Sequence, residues 1–108
     1  MKKINVLLTC AGGALGYGDM LALQAAENVA SIVVTDQNSK CIAAKYGCPF
    51  YLVPNGTDPK YGQAIRDICA KEKIQLVIPG SDEEALALAA RSSEFLEEGV
   101  ICATPSKD

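Results

Sequence analysis

"INVLLTCAGGALGYGD" (Ile4–Asp19) runs from a nearly continuous apolar stretch straight into a loop that holds four glycines. The fold turns on what that junction is. An apolar run without polar alternation has the pattern of a parallel strand buried on both faces. Glycines directly after it permit a tight turn and let the backbone approach a partner closely. "DMLALQAAE" (Asp19–Glu27), rich in helix formers, follows the loop. The start of the chain imitates a signal peptide, with Lys2 and Lys3 before a short apolar run. That run is too short, and it leads into glycines rather than a cleavage site, so it reads as a first strand.

Outward from this junction the alternation continues. "SIVVTD" (Ser31–Asp36) is a second β-branched strand, and "SKCIAAKYG" (Ser39–Gly47) a short helix with Ser39 as its cap and Gly47 past its end. "PFYLVP" (Pro49–Pro54) is a weaker strand, expected near an edge because proline flanks it on both sides. Asp58-Pro59 is expected to open a helix, a capping carboxylate before a proline at the first helical position. Tyr61, Ala64, Ile65, Ile68 and Cys69 recur at helical period and form its inner face. "QLVIP" (Gln75–Pro79) is a fourth strand. Ser81 and Glu84 have the spacing of a capping box, and one helix is expected over "DEEALALAARSSEFLEE" (Asp82–Glu98). "VICAT" (Val100–Thr104) is a fifth strand. The pattern predicts one α/β domain over residues 1–108: an open, doubly wound, Rossmann-like parallel sheet of about five strands in the order 3-2-1-4-5. "TPSKD", after the fifth strand, has the start signal of another helix, so the natural protein is expected to continue.

Composition removes several classes. With 13 acidic against 10 basic residues and the basic ones scattered, there is no footprint for nucleic acid. No apolar run approaches the roughly 20 residues of a membrane span, and a cytoplasmic location is expected. Histidine is absent, which excludes histidine triads and imidazole metal sites from this chain. The five cysteines, Cys10, Cys41, Cys48, Cys69 and Cys102, show no C-x-x-C spacing and read as buried hydrophobes in a reducing compartment, neither paired nor catalytic. No metal site is expected.

In an open parallel sheet, ligands bind at the carboxyl ends of the strands where the order reverses. For the order 3-2-1-4-5 that crevice lies between the first and fourth strands. The glycine loop and "PGSDEE" (Pro79–Glu84) flank it, both preceding helices and offering backbone N–H groups to an anion. Asp36 borders the same rim. Ala11, Gly13 and Gly16 give A-x-G-x-x-G, and Gly12, Gly16 and Gly18 give G-x-x-x-G-x-G. Asp36 follows at the spacing of a ribose-binding acid. The same glycines also suit a bare turn packed against its helix. Asp82, Glu83 and Glu84 are explained by the helix dipole; alternatively, Asp82 or Glu83 points into the crevice toward a cationic group or a metal-bound substrate.

"VLLTCAGGALG", "VVTDQNS", "DPKYGQAIRDICAKEKIQLVIPGSDEEALALA" and "TPS" together resemble the N-terminal domain of ATP-grasp proteins, the group similar to the large subunit of carbamoyl phosphate synthetase. The resemblance covers essentially the whole chain and is most specific over Ile65–Ala89. The glycine loop also looks like the start of extended short-chain dehydrogenases, but Cys10 stands where that pattern has glycine, and no Tyr-x-x-x-Lys occurs. The resemblance implies a substrate-side domain of an ATP-dependent ligase, with ATP and Mg held mainly by downstream ATP-grasp domains and no cofactor or catalytic residue in these 108 residues. It implies that Gly12, Gly13 and Gly16 offer N–H groups to a carboxylate or phosphoryl oxygen of a small carboxylate or amine substrate. Ser81, Asp82 and Glu83 would lie at the substrate rim. An NAD(P)-binding domain and a non-catalytic metabolite-sensing module are the rival readings. A homodimer is left open.

Overall fold

A computed structural model describes residues 3–9, 28–36 and 49–103. Five strands pair in parallel in the order β3-β2-β1-β4-β5: β1 (Ile4–Leu8), β2 (Val29–Asp36), β3 (Phe50–Leu52), β4 (Leu76–Ile78) and β5 (Ile101–Cys102). The order is the one predicted, and the proline-flanked β3 lies at an edge. β1 is central. Leu7 pairs with Val33 on one side and Val77 on the other. Its apolar continuity follows from this place, because Val6, Leu7 and Leu8 point alternately to the two faces and all are fully buried.

Leu7, Val33 and Val77 share the face that packs against α1 (Tyr61–Glu72). That helix presents Tyr61, Gly62, Ile65, Ile68 and Cys69 inward. Leu88 of α2 (Asp82–Ala89) and Phe95 of α3 (Ser92–Glu97) complete the same core. The expected helices over 19–27 and 39–47 lie outside the described residues.

Three local expectations are corrected. First, α1 starts at Tyr61, not at Pro59. The Asp58 carboxylate accepts the Lys60 N–H at 2.8 Å and its carbonyl accepts the Tyr61 N–H at 3.0 Å, which spends those residues on a turn before the helix. Second, Gly62 rather than Ala64 is buried on α1, where the Arg91 side chain lies over it; a Cβ there would come within 2.6 Å of Arg91 Cδ. Third, the single helix expected over Asp82–Glu98 is two, broken at Ala90–Arg91 with Arg91 at φ −117°, ψ 15°. The second helix opens on Ser92 and Ser93, whose hydroxyls compete for backbone hydrogen bonds and favour helix starts over interiors. β3, β4 and β5 are also shorter than the expected strands, β5 reduced to two residues, whereas β2 begins two residues earlier, at Val29.

Candidate functional site

The carboxyl ends of the strands carry three chain segments that converge. Asp36, the last residue of β2, is 7 % exposed. Its carbonyl accepts the Val53 N–H at 3.0 Å, which ties it to the chain leaving β3. That chain continues through Pro54, Asn55 and Gly56, and the Asn55 side-chain oxygen accepts from both the Thr57 N–H (2.9 Å) and the Thr57 hydroxyl (3.0 Å). Such an Asx turn holds the loop without regular secondary structure. Gly56 is then pressed on the start of α2. A Cβ on it would lie 3.1 Å from both Glu84 Cγ and the Glu84 backbone nitrogen. Only glycine allows that approach without displacing a neighbour.

The third segment is the turn from β4 into α2. Its base is fixed across the strand reversal: the Gly80 N–H donates to Thr9 Oγ1 at 3.0 Å, and the Thr9 N–H to the Ile78 carbonyl at 3.1 Å. Thr9, where the glycine loop begins, is fully buried. Ser81 caps α2 by accepting the Glu84 N–H at 3.3 Å, as the spacing predicted. The reciprocal half of the box is altered. Glu84 turns inward, 7 % exposed, and accepts the Ser81 hydroxyl at 3.0 Å and the Tyr61 hydroxyl at 2.5 Å. A buried carboxylate is thereby supplied with donors from α1 and from its own helix start, which its burial requires.

Asp36, Asn55, Gly56, Ser81, Glu83 and Glu84 line one small cavity of about 90 Å³. Asp36, Ser81 and Glu83 are therefore brought together as the sequence placed them. Asp82 is exposed in the first turn of α2 and does not line the cavity. Gly12, Gly13 and Gly16 lie outside the described residues. Sequence reasoning missed the Pro54–Gly56 loop and the inward turn of Glu84. The Asn-Gly pair between Pro54 and Pro59 is the signal that marked the loop; nothing in a capping-box spacing tells whether its acid faces water or the core.

The chemistry of this lining is acidic. Three carboxylates face about 90 Å³ and no lysine or arginine lines it among the described residues. The space matches roughly three water molecules, so it suits a small cationic or hydrogen-bond-donating group and disfavours a phosphate chain. Among the described residues no group of three or more Cys, Asp or Glu side chains is arranged to hold a metal ion. Cys69 and Cys102 are free; burial pushes the Cys69 thiol up to about 12 and the Cys102 thiol up to about 11, which favours the protonated form of both. Cys10, Cys41 and Cys48 lie outside the described residues. Among the described residues, no helix is long and apolar enough to cross a membrane.

An open parallel sheet in the order 3-2-1-4-5 defines an α/β domain of the doubly wound class, with a polar pocket at the carboxyl ends of its strands. The match to known families narrows it. The family model described as the PylC-like N-terminal domain matches residues 6–103. The chain belongs to that family, and because PylC is an ATP-grasp enzyme it is an N-terminal domain of the ATP-grasp type. No curated protein matches the chain.

Proposed function

We propose that this chain is the substrate-side N-terminal domain of an ATP-dependent carboxylate–amine ligase, or of a carbamoyl phosphate synthetase-like enzyme. In this reading ATP and Mg are bound by downstream domains, and the protein works in the cytoplasm. The observation that carries it is the acidic cavity of Asp36, Ser81, Glu83 and Glu84 at the carboxyl ends of the strands, in a chain whose family match spans 6–103. The ATP of such enzymes supplies a phosphoryl group that activates a carboxylate, and an amine then displaces it. This domain's part is positioning. Carboxylates around a small cavity attract the ammonium of an incoming amine and hold it in one orientation. Asp82 sits at the outer rim, and Gly12, Gly13 and Gly16 would offer their N–H groups to the carboxylate or phosphoryl oxygen on the facing side.

Two measurements test this. Calorimetric titration of the chain with ATP, NAD and NADP separates the ligase from a dehydrogenase domain; we expect no nicotinamide dinucleotide to bind tighter than about 1 mM. Micromolar NADP affinity would instead assign Asp36 to a ribose. In the full-length enzyme, Glu83→Gln should raise the KM for the amine about tenfold and leave that for ATP nearly unchanged, the loss expected of one charge-assisted contact. Asp82→Asn, outside the cavity, should change the amine KM less. An effect of Glu83→Gln on the ATP KM alone would overturn the assignment.

A further inference from the structure

A second cavity, of about 480 Å³, lies at the opposite pole of the sheet, and nothing in the ligase reading uses it. Its walls come from the amino ends of strands: Asn5 at the start of β1, Gln75 before β4, Gly99 and Val100 before β5. The volume falls in the range of small-molecule sites, more than five times that of the acidic cavity. The floor is apolar, formed by Cys69, Ile74, Phe95 and Val100, all at most 5 % exposed.

The rim carries two cations, Arg66 and Lys73. Arg66 reaches across from α1 to α3, donating from Nε to Glu98 at 2.7 Å and from Nη1 to Glu94 at 3.2 Å. Two of its five N–H groups are thus engaged with described residues, and the rest of the fork remains for another acceptor. Lys73 forms no ion pair among the described residues, whose pairs all involve Arg66 or Arg91. Its backbone is the one positive-φ non-glycine position described, at φ 55°, ψ 46°. Glycine ordinarily fills this place at the end of a helix. Here a lysine is held there: its N–H and that of Ile74 both reach the Cys69 carbonyl, and its own carbonyl accepts Asn5 Nδ2 at 3.0 Å. The conformation costs backbone strain that an Asn or Gly would avoid, and it places a lysine in the wall of the cavity.

We propose that this cavity is a second ligand site, for a small amphipathic carboxylate. Its apolar body seats on Ile74, Phe95 and Val100, and its carboxylate is held by Lys73 and the unused face of Arg66. Glu98, bound to Arg66, closes the acidic side and sets the direction in which the carboxylate enters. The site is chemically opposite to the acidic cavity at the other pole and independent of it.

The test is amide-resolved NMR titration of the protein with octanoate, octanol and acetate. Octanoate should give saturable shifts at Lys73, Gly99 and Val100 and none at Gly56 or Ser81; octanol and acetate should each bind at least about tenfold more weakly, since each lacks one half of the recognised group. Lys73→Asn keeps a residue that accepts the left-handed conformation and removes the charge, so the fold is preserved; it should weaken octanoate about tenfold. Ala70→Trp, placed at an exposed position that lines the cavity, should abolish binding. Equal affinity for octanol, unchanged binding in Lys73→Asn, shifts confined to the other pole, or no saturation would each overturn the proposal. Glu83→Gln, at the far pole, should leave octanoate binding unchanged, and a weakened octanoate affinity in that variant would overturn the independence of the two sites.

Discussion

Tyr61→Phe removes one oxygen atom from a fully buried side chain and leaves its packing against the core intact. That oxygen donates to Glu84 Oε2 at 2.5 Å, and Glu84 is 7 % exposed. The carboxylate would keep the Ser81 hydroxyl, at 3.0 Å, and Oε2 would lose its Tyr61 donor. Hydrogen bonds to charged groups contribute about 1.5–3 kcal/mol, and a buried acceptor left without its donor costs a similar amount. A loss near 2 kcal/mol corresponds to a fall in Tm of roughly 10 °C for a domain of this size. Thermal and urea unfolding followed by circular dichroism at pH 7 measure both. A double-mutant cycle with Glu84→Gln isolates the pair, and a coupling above about 1 kcal/mol is expected for groups in contact. A Tyr61→Phe loss below about 0.5 kcal/mol, or strict additivity in the cycle, would refute the view that this bond locks α1 to the start of α2.

Gly56→Ala would place a methyl 3.1 Å from Glu84 Cγ and from the Glu84 backbone nitrogen; it should cost about 1–3 kcal/mol as overpacking and raise the amine KM by opening the acidic cavity, whereas a variant as stable as the parent would mean the loop is free to move aside. Thr35 is fully buried, and its hydroxyl meets no partner among the described residues, so Thr35→Val, the same shape without the hydroxyl, should stabilise by about 1 kcal/mol in urea unfolding; a loss of stability would show that the hydroxyl has a partner. Burial raises Cys69 from 9.0 to about 12 and Cys102 from 9.0 to about 11, so the fold holds those protons more tightly than the unfolded chain. Stability from this source is complete below pH 9 and falls as pH rises from 9 toward 12. Cys69→Ala should shrink the fall in urea midpoint between pH 7 and pH 10.5, and an unchanged slope would remove the thiol as its cause.

The strand order was legible because it rests on features that tertiary context rarely overrides. Val6, Leu7 and Leu8 are apolar without alternation, which only a central parallel strand explains, and the prolines around β3 leave it an edge. The α1 inner face was legible for the same reason, four of its five predicted residues being buried. Less was legible wherever the outcome depended on one hydrogen bond. Whether Asp58 caps a helix or closes a turn before it is decided by which N–H its carboxylate meets, and a spacing does not carry that. The break before Ser92 likewise lies within a stretch of uniform helical character. At the site, Asp36, Ser81 and Glu83 could be placed together from topology alone, since strand order determines which loop tips are neighbours. Glu84 could not, because its three possible partners, water, the dipole and Tyr61, leave the same sequence signature.

That inward carboxylate bears on function more than on stability. Replacing a buried polar pair by apolar groups of similar volume is often neutral or stabilising, while breaking it on one side is costly. A domain selected for folding alone would therefore have no use for Glu84 and the Tyr61 hydroxyl together. The double substitution Tyr61→Phe with Glu84→Met removes both polar ends, keeps the aromatic packing and retains the Ser81 cap, which depends on the backbone N–H of residue 84 and not on its side chain. Its stability should lie within about 1 kcal/mol of the parent, in contrast to the single Tyr61→Phe. Under the ligase function proposed above it should nevertheless raise the amine KM severalfold, because one of the three carboxylates that line the cavity is gone. A double variant that unfolds about 3 kcal/mol more easily would assign the pair to the scaffold. One that folds well and keeps the parental KM would leave Asp36 and Glu83 as the recognising carboxylates and take Glu84 out of the site.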